Sequence, residues 1–252
     1  MAVRLQAHLK SGQLAGLADR LLVWNRTASV AETFAAHHGC QAVKSVADVA
    51  AAKPSVVFSM LANDTAADAV LSDYLAGCSG GSEQAVFVNC ATVLPATVTR
   101  QAAQAHKAGV LYANCPVFGR PDAAAGGMLV AVPAGAPAAR ERLAPLLQAF
   151  SGRGVWDLGD DPAASAALKL IGNSWIVSQI ETGFGVDLAL KDVGHMRTLA
   201  QQSCCPAPLV DQAFNHLLSA KARHGAELDW GAIYLAVRDA AGLPPNTKQP
   251  SA

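Results

Sequence analysis

The sequence has no excess of either charge, with 19 lysines and arginines against 19 aspartates and glutamates. That excludes nucleic acid as a main partner, because phosphate binding needs clustered Lys and Arg. Arg100 with Lys107, and Arg140 with Arg142, are separate pairs that read as solvated helix faces. No apolar run approaches the roughly 18–20 residues of a membrane helix, so no membrane partner is expected. Residues Met1 to Lys10 alternate apolar and basic side chains and do not read as a secretory signal. Cysteine is present six times but never as C-x-x-C, and the adjacent Cys204 and Cys205 are poorly placed to share a zinc ion. Free thiols in a reducing compartment follow: the cytoplasm, or the interior of an organelle such as the mitochondrion. His37, His38 and His195 have no acids at ligand spacing, so no metal is assigned. His37 and His38 suit a helix C-terminus.

What is present is an apolar, alanine-rich chain of 252 residues, enough for one large domain or two modest ones. From residue 20 to about 159, short apolar runs alternate with stretches of helical spacing. The runs cover residues 21–24, 55–60, 85–89, 110–113, 128–132 and 155–158. Val56-Val57-Phe58 is apolar without alternation, as strands covered on both faces are. Thr27 can cap a helix that Gly39 closes. Asn63 or Asp64 can cap the next, and others follow Pro95 and Ala136. This order predicts an α/β, doubly wound, mostly parallel sheet over residues 1–160. After Gly159 the strands stop. Asp161 and Pro162 open a helix, and further helices are expected over about 187–201, 208–223 and 229–241. An all-helical domain over 161–243 and a fraying tail over 244–252 complete the reading.

A dinucleotide-binding sheet ordinarily opens with a strand, a G-x-G-x-x-G turn and a helix, whose N-terminus holds the pyrophosphate. This chain starts in a helix, with Val3, Leu5 and Leu9 on related faces, so the run 21–24 reads as the second strand of such a sheet. It ends in Asn25-Arg26-Thr27, where the adenine ribose would lie. An acidic residue there favours a free 2′-hydroxyl, whereas Arg26 suits a 2′-phosphate and hence NADP over NAD.

Six further segments follow in order: Trp24-Asn25-Arg26-Thr27, Met60-Leu61, Asn89-Cys90-Ala91-Thr92-Val93-Leu94-Pro95, Asn114-Cys115-Pro116-Val117-Phe118-Gly119, Lys169-Leu170-Ile171-Gly172-Asn173 and Leu190-Lys191-Asp192. Together they resemble the β-hydroxyacid dehydrogenase family, which includes 3-hydroxyisobutyrate dehydrogenase and, as a larger relative, 6-phosphogluconate dehydrogenase. The resemblance implies a Rossmann-like domain that lacks its first strand and glycine loop. It also implies a shortened helical domain, with a block deleted near Thr182-Gly183-Phe184-Gly185. Where the family has serines and a glycine, Ala91, Phe118 and Arg120 stand here.

The resemblance further implies an oxidoreductase that moves a hydride between NADP(H), or NAD(H), and a small hydroxyacid or semialdehyde. Lys169 would be the general acid/base and Asn173 would orient the substrate hydroxyl. Asn25, Arg26, Thr27, Met60, Leu61, Thr92 and Lys191 would contact the cofactor. Val117, Phe118 and Gly119, again with Asn173 and Lys191, would contact the substrate. A lysine works as an acid near neutral pH when burial or nearby positive charge lowers its pKa, and Lys191 is the expected source of that charge. The apolar Leu168, Leu170 and Ile171 imply that the helix is buried on both sides of Lys169. Family members pair through their helical domains, which implies a homodimer. Two readings compete with the active enzyme. One is an inactive fragment or pseudoenzyme serving as an interaction or dimerisation module. The other is an imine reductase, which would need a proton donor other than Lys169.

Overall fold

The computed structural model describes residues 1–16, 18–78, 85–177 and 184–242. The apolar runs become parallel strands at the expected places. β1 (Leu22–Val23) pairs in parallel with β2 (Gln41–Ala42). β3 (Val56–Ser59), β4 (Val86–Asn89) and β5 (Leu111–Asn114) form a second parallel ladder in register. The β1–β2 pair and the β3–β4–β5 ladder are separate sheets. A third sheet lies beyond β5. It consists of β6 (Val117–Phe118), antiparallel to β7 (Val130–Ala131), which is parallel to β9 (Gly154–Val155). The remaining strand, β8 (Ala134–Gly135), closes the β5 edge in antiparallel fashion. β2, β6 and β8 are two residues long, too short for any periodic signal, and the sequence pattern does not reveal them.

Successive residues of a strand face opposite sides, and β4 uses both. Val86 and Val88 enter a cluster with Leu5, Leu143, Leu147 and Phe150. Phe87 enters another with Val46, Leu71, Tyr74 and Val98. The first cluster is supplied by α1 (Ala2–Lys10) and, later in the chain, α7 (Pro137–Leu147). The second is supplied by α3 (Val46–Ala51), α4 (Asp64–Gly77) and α5 (Pro95–Lys107). The doubly wound arrangement is therefore held by apolar side chains on both faces of one central strand.

Local signals set the helix ends. Gly39 closes α2 (Ala28–His38) in the left-handed region at φ 67°. The Asn63 side chain accepts the Ala66 N–H at 2.9 Å and caps α4. Thr27 occupies the N-cap of α2 but makes no capping hydrogen bond. Instead Asn25 Oδ1 accepts the Thr27 N–H at 2.9 Å. α3, with its Ser45–Asp48 capping box, and the short α6 (Pro121–Gly126) complete the helices before residue 159.

Gly135 is required where β8 meets β5. Its φ is 147°, and a Cβ there would lie 2.6 Å from the Tyr112 carbonyl oxygen and 3.0 Å from Ala113 Cα. Those are backbone atoms that cannot step aside. Gly135→Ala is expected to destabilise the α/β unit by about 2–4 kcal/mol. Its thermal midpoint measured against wild type would show this, and an unchanged midpoint would contradict it.

The chain divides into two compact units, Met1–Lys169 and Leu170–Ala252. The division falls inside α8 (Pro162–Val177) rather than at residue 160. The reason is packing. Ser165 is fully buried against Asn114, and Ala166 belongs to the apolar cluster around Phe87. The first turns of the helix are thus part of the α/β core. As expected, the second unit is helical among its described residues: α9 (Val186–Gln202), α10 (Pro208–His224) and α11 (Ile233–Ala240). The stretch expected as one helix from 229 begins with a 3-10 turn, Trp230–Ala232, capped by Asp229. Asp229 also accepts the Phe184 N–H at 2.7 Å. Val193, Leu217 and Ala220 are fully buried in this unit. The expected deletion near Thr182 and Gly183, and the tail, lie outside the described residues. Among the described residues no helix is long and apolar enough to cross a membrane.

Candidate active site

In an open parallel sheet the strand ends converge at the carboxyl edge, and ligands bind in the crevice there. The turns after β1, β3 and β4 carry the residues singled out for cofactor contact. Asn25, Arg26 and Thr27 are exposed at the end of β1. Met60 is half exposed after β3, with Leu61 partly covered beside it. Thr92 is partly covered after β4, between the buried Ala91 and Val93.

The Thr92 turn is held from two sides by side chains to which the sequence reading gave no such role. Asn89 Oδ1 accepts the Ala91 N–H at 3.0 Å, and Asp64 Oδ1 accepts the Leu94 N–H at 3.0 Å. Behind Asn89, the fully buried Gln101 accepts from the Tyr112 hydroxyl at 2.8 Å and donates to Asp68 at 2.8 Å. Asp68 in turn pairs with Arg100. Burial pushes the Tyr112 phenol above its usual range, so it stays protonated and remains a donor. A connected polar network of this kind fixes one conformation, because each member left unpaired in the core would cost about 1–3 kcal/mol. Asn89 opens one of the family segments, whereas Gln101, which follows Arg100, carried no sequence signal.

Beyond β5 the chain turns through Pro116 into β6. Gly119 has φ 133°, and a Cβ there would meet Leu129 Cδ2 at 2.5 Å. Only glycine fits this position without displacing the Leu129 side chain. Asn114, at the end of β5, donates from Nδ2 to Ser165 Oγ at 2.9 Å, and Ser165 Oγ returns to the Asn114 carbonyl at 3.2 Å. This reciprocal pair anchors the start of α8. Lys169 stands one helical turn after Ser165, on the same face. Its Nζ lies 4.2 Å from the centroid of the Phe118 ring, an attraction between a cation and a ring face. The structure thus brings Lys169 to Phe118. Lys169 is only partly covered, and although Leu170 is fully buried, Ile171 is 52 % exposed. The expectation that α8 is buried on both sides of Lys169 is corrected accordingly.

In the helical unit, Asn173 and Lys191 converge on Asp192. Asn173 Nδ2 donates to Asp192 Oδ2 at 2.8 Å. Lys191 Nζ lies 2.9 Å from Asp192 Oδ1, and because that oxygen lacks an aligned donor the contact is an ion pair more than a hydrogen bond. Asp192 is 4 % exposed. The charge of Lys191, expected to act on its surroundings as a free cation, is therefore balanced by a buried carboxylate.

Residues 12–159 match the family model described as the NAD binding domain of 6-phosphogluconate dehydrogenase. The chain is 24% identical to an uncharacterized oxidoreductase, YfjR, of Bacillus subtilis, over 86% of this chain and 91% of that protein. It is 23% identical to the NADH-dependent oxidoreductase ucdB of Aspergillus ustus, over 92% and 94%. Among solved structures, it superposes on a 3-hydroxyisobutyrate dehydrogenase of Mycobacterium tuberculosis solved with L-serine. There the TM-score is 0.78 and the identity 20%, with 94% of this chain and 95% of that one covered.

Proposed function

The chain belongs to the family of the NAD binding domain of 6-phosphogluconate dehydrogenase, a Rossmann-fold oxidoreductase related to 3-hydroxyisobutyrate dehydrogenase, and on that premise we propose that it transfers a hydride between NADP(H) and a small hydroxyacid or semialdehyde. The observation that carries the reading is Lys169, one helical turn beyond the Ser165–Asn114 anchor with its ammonium against the Phe118 ring.

The carboxyl edge suits a dinucleotide at its two ends. Arg26 is exposed on a turn braced by Asn25, and a guanidinium can grip a phosphate with two parallel hydrogen bonds. Asn25 and Thr27 would flank the ribose, Met60 and Leu61 would lie along the cofactor, and Thr92, on its clamped turn, would meet the nicotinamide side. Lys191 would contact cofactor or substrate, as the family resemblance implies. When bound, the nicotinamide supplies or accepts the hydride. Lys169 donates a proton to the carbonyl oxygen during reduction and takes it back from the hydroxyl during oxidation. Asn173, oriented by Asp192, holds that oxygen. Backbone N–H groups of the Val117–Gly119 turn hold the carboxylate. A homodimer would cover apolar side chains that the helical unit exposes, Leu209 and Leu218 of α10 among them.

A second reading is a non-catalytic member of the family, in which Lys191 serves only to balance the buried Asp192. Titration of the purified protein with NADPH and NADH, followed by nucleotide fluorescence, separates the two. The enzyme reading expects saturable binding with NADPH preferred. Arg26→Glu is expected to reverse that preference, weakening NADPH about tenfold or more through loss of a charge-assisted phosphate contact. A folded protein that binds neither nucleotide belongs to the second reading, and equal NADPH affinity in the variant would remove Arg26 from the site.

A further inference from the structure

Phe118 and Trp156 form an aromatic surface beside Lys169. The register of the third sheet puts Phe118 opposite Val130, and Val130 opposite Gly154. Trp156 follows Gly154 by two residues, so it shares the face of Phe118. Its backbone N–H extends the ladder to the Ala131 carbonyl at 2.9 Å. Gly154 leaves room for the indole, whose Nε1 would lie 3.8 Å from any Cβ at that position. The two rings tilt against each other at 48° with centroids 6.3 Å apart. Trp156 is nevertheless 52 % exposed. An indole held by a strand, leaning on a second ring and still open to solvent, is a ready contact for a flat apolar group.

Lys169 fixes where such a group belongs. Its ammonium covers one part of the Phe118 ring at 4.2 Å. An oxygen accepting a proton from Nζ must lie within roughly 2.6–3.2 Å of it. Phe118, in contact with that ammonium, and Trp156, 6.3 Å from Phe118 between ring centroids, are then the rings available to a substituent on the carbon bearing that oxygen. We propose that Phe118 and Trp156 are specificity-determining residues that select an oxo- or hydroxyacid carrying an aryl or similarly flat side group. The inference rests on the proposed role of Lys169 for the position of the reacting oxygen.

The test is calorimetric titration of the full chain with two unreactive carboxylates, 3-phenylpropanoate and butanoate, without nucleotide. Wild type is expected to bind the aryl acid about tenfold tighter. Trp156→Ala and Phe118→Ser should each bring the ratio close to unity, Trp156→Phe should retain most of it, and Tyr234→Ala, an exposed ring in the helical unit, should leave it unchanged. Equal affinities in wild type, or a ratio unaltered in Trp156→Ala, would overturn the proposal. Hydride transfer is assayed separately with NADPH. Aryl preference without turnover removes the proposed activity and leaves the binding surface, whereas turnover without aryl preference removes the surface and leaves the activity.

Discussion

Replacing Lys169 by alanine is expected to lower turnover by about 10²–10⁴-fold, the range spanned by loss of a positioned general acid or base. Nucleotide binding should be nearly unchanged, because Lys169 lies beside Phe118 and not among the turns after β1, β3 and β4. The fold should tolerate the change. The side chain is only partly covered, and the anchor that holds this end of α8 is Ser165 on Asn114, which alanine at 169 does not touch. A loss confined to kcat, with the thermal midpoint retained, is therefore the expected signature. Lys169→Arg keeps the charge but not the acidity, since a guanidinium stays protonated at any working pH. It should likewise leave substrate binding in place without restoring turnover. Turnover unchanged in Lys169→Ala would end the assignment of Lys169 as proton donor and favour a reductase with another donor.

Asp192→Ala should destabilise the helical unit. The carboxylate is nearly inaccessible, and it meets Asn173 at 2.8 Å and Lys191 at 2.9 Å. Removing one partner of a buried pair typically costs about 3–5 kcal/mol, because the other charge is left uncompensated. Lys191 keeps some access to water, with 19% of its side chain exposed, so a cost of about 2–3 kcal/mol is expected here. Urea denaturation measures it, and a midpoint equal to wild type would show that Lys191 simply turns outward. On the role proposed for Asn173, Asp192 is a positioning residue. In Asp192→Asn the amide oxygen can still accept from Asn173, so that variant should recover kcat more than KM, since the Lys191 charge remains unbalanced. Parallel loss in both variants would instead make the role purely structural.

The family was legible because its signals are local. Val56-Val57-Phe58 is apolar at every position, and both faces of the strand are packed, Val56 and Phe58 against one apolar cluster and Val57 against the other. Gly39 stops α2 because a left-handed residue costs glycine little. Asn63 caps α4 because its side chain satisfies an amide that the helix cannot. The site was legible only in part. Lys169, Asn173 and Lys191 were implied by the family resemblance, but Trp156 was not. Its significance depends on β6, β7 and β9, two-residue strands whose pairing no sequence period reveals. The clamps on the Thr92 turn were hidden for a similar reason, since Asp64, Gln101 and Tyr112 are far apart in sequence and meet only across the packed sheet.

By itself, then, the sequence determined the alternation of strand and helix, the helix ends and the order of the chemical groups, because hydrophobic period, capping and backbone freedom act within a few residues. The tertiary structure decided which of those groups meet. It gave the first turns of α8 to the α/β unit through Ser165 and Asn114, brought Asn173 to Asp192, and set Lys169 over Phe118 with Trp156 beside that ring. Those pairings arise from long-range packing and from the need of each buried polar atom to find a partner, and neither has a signature within one stretch of chain.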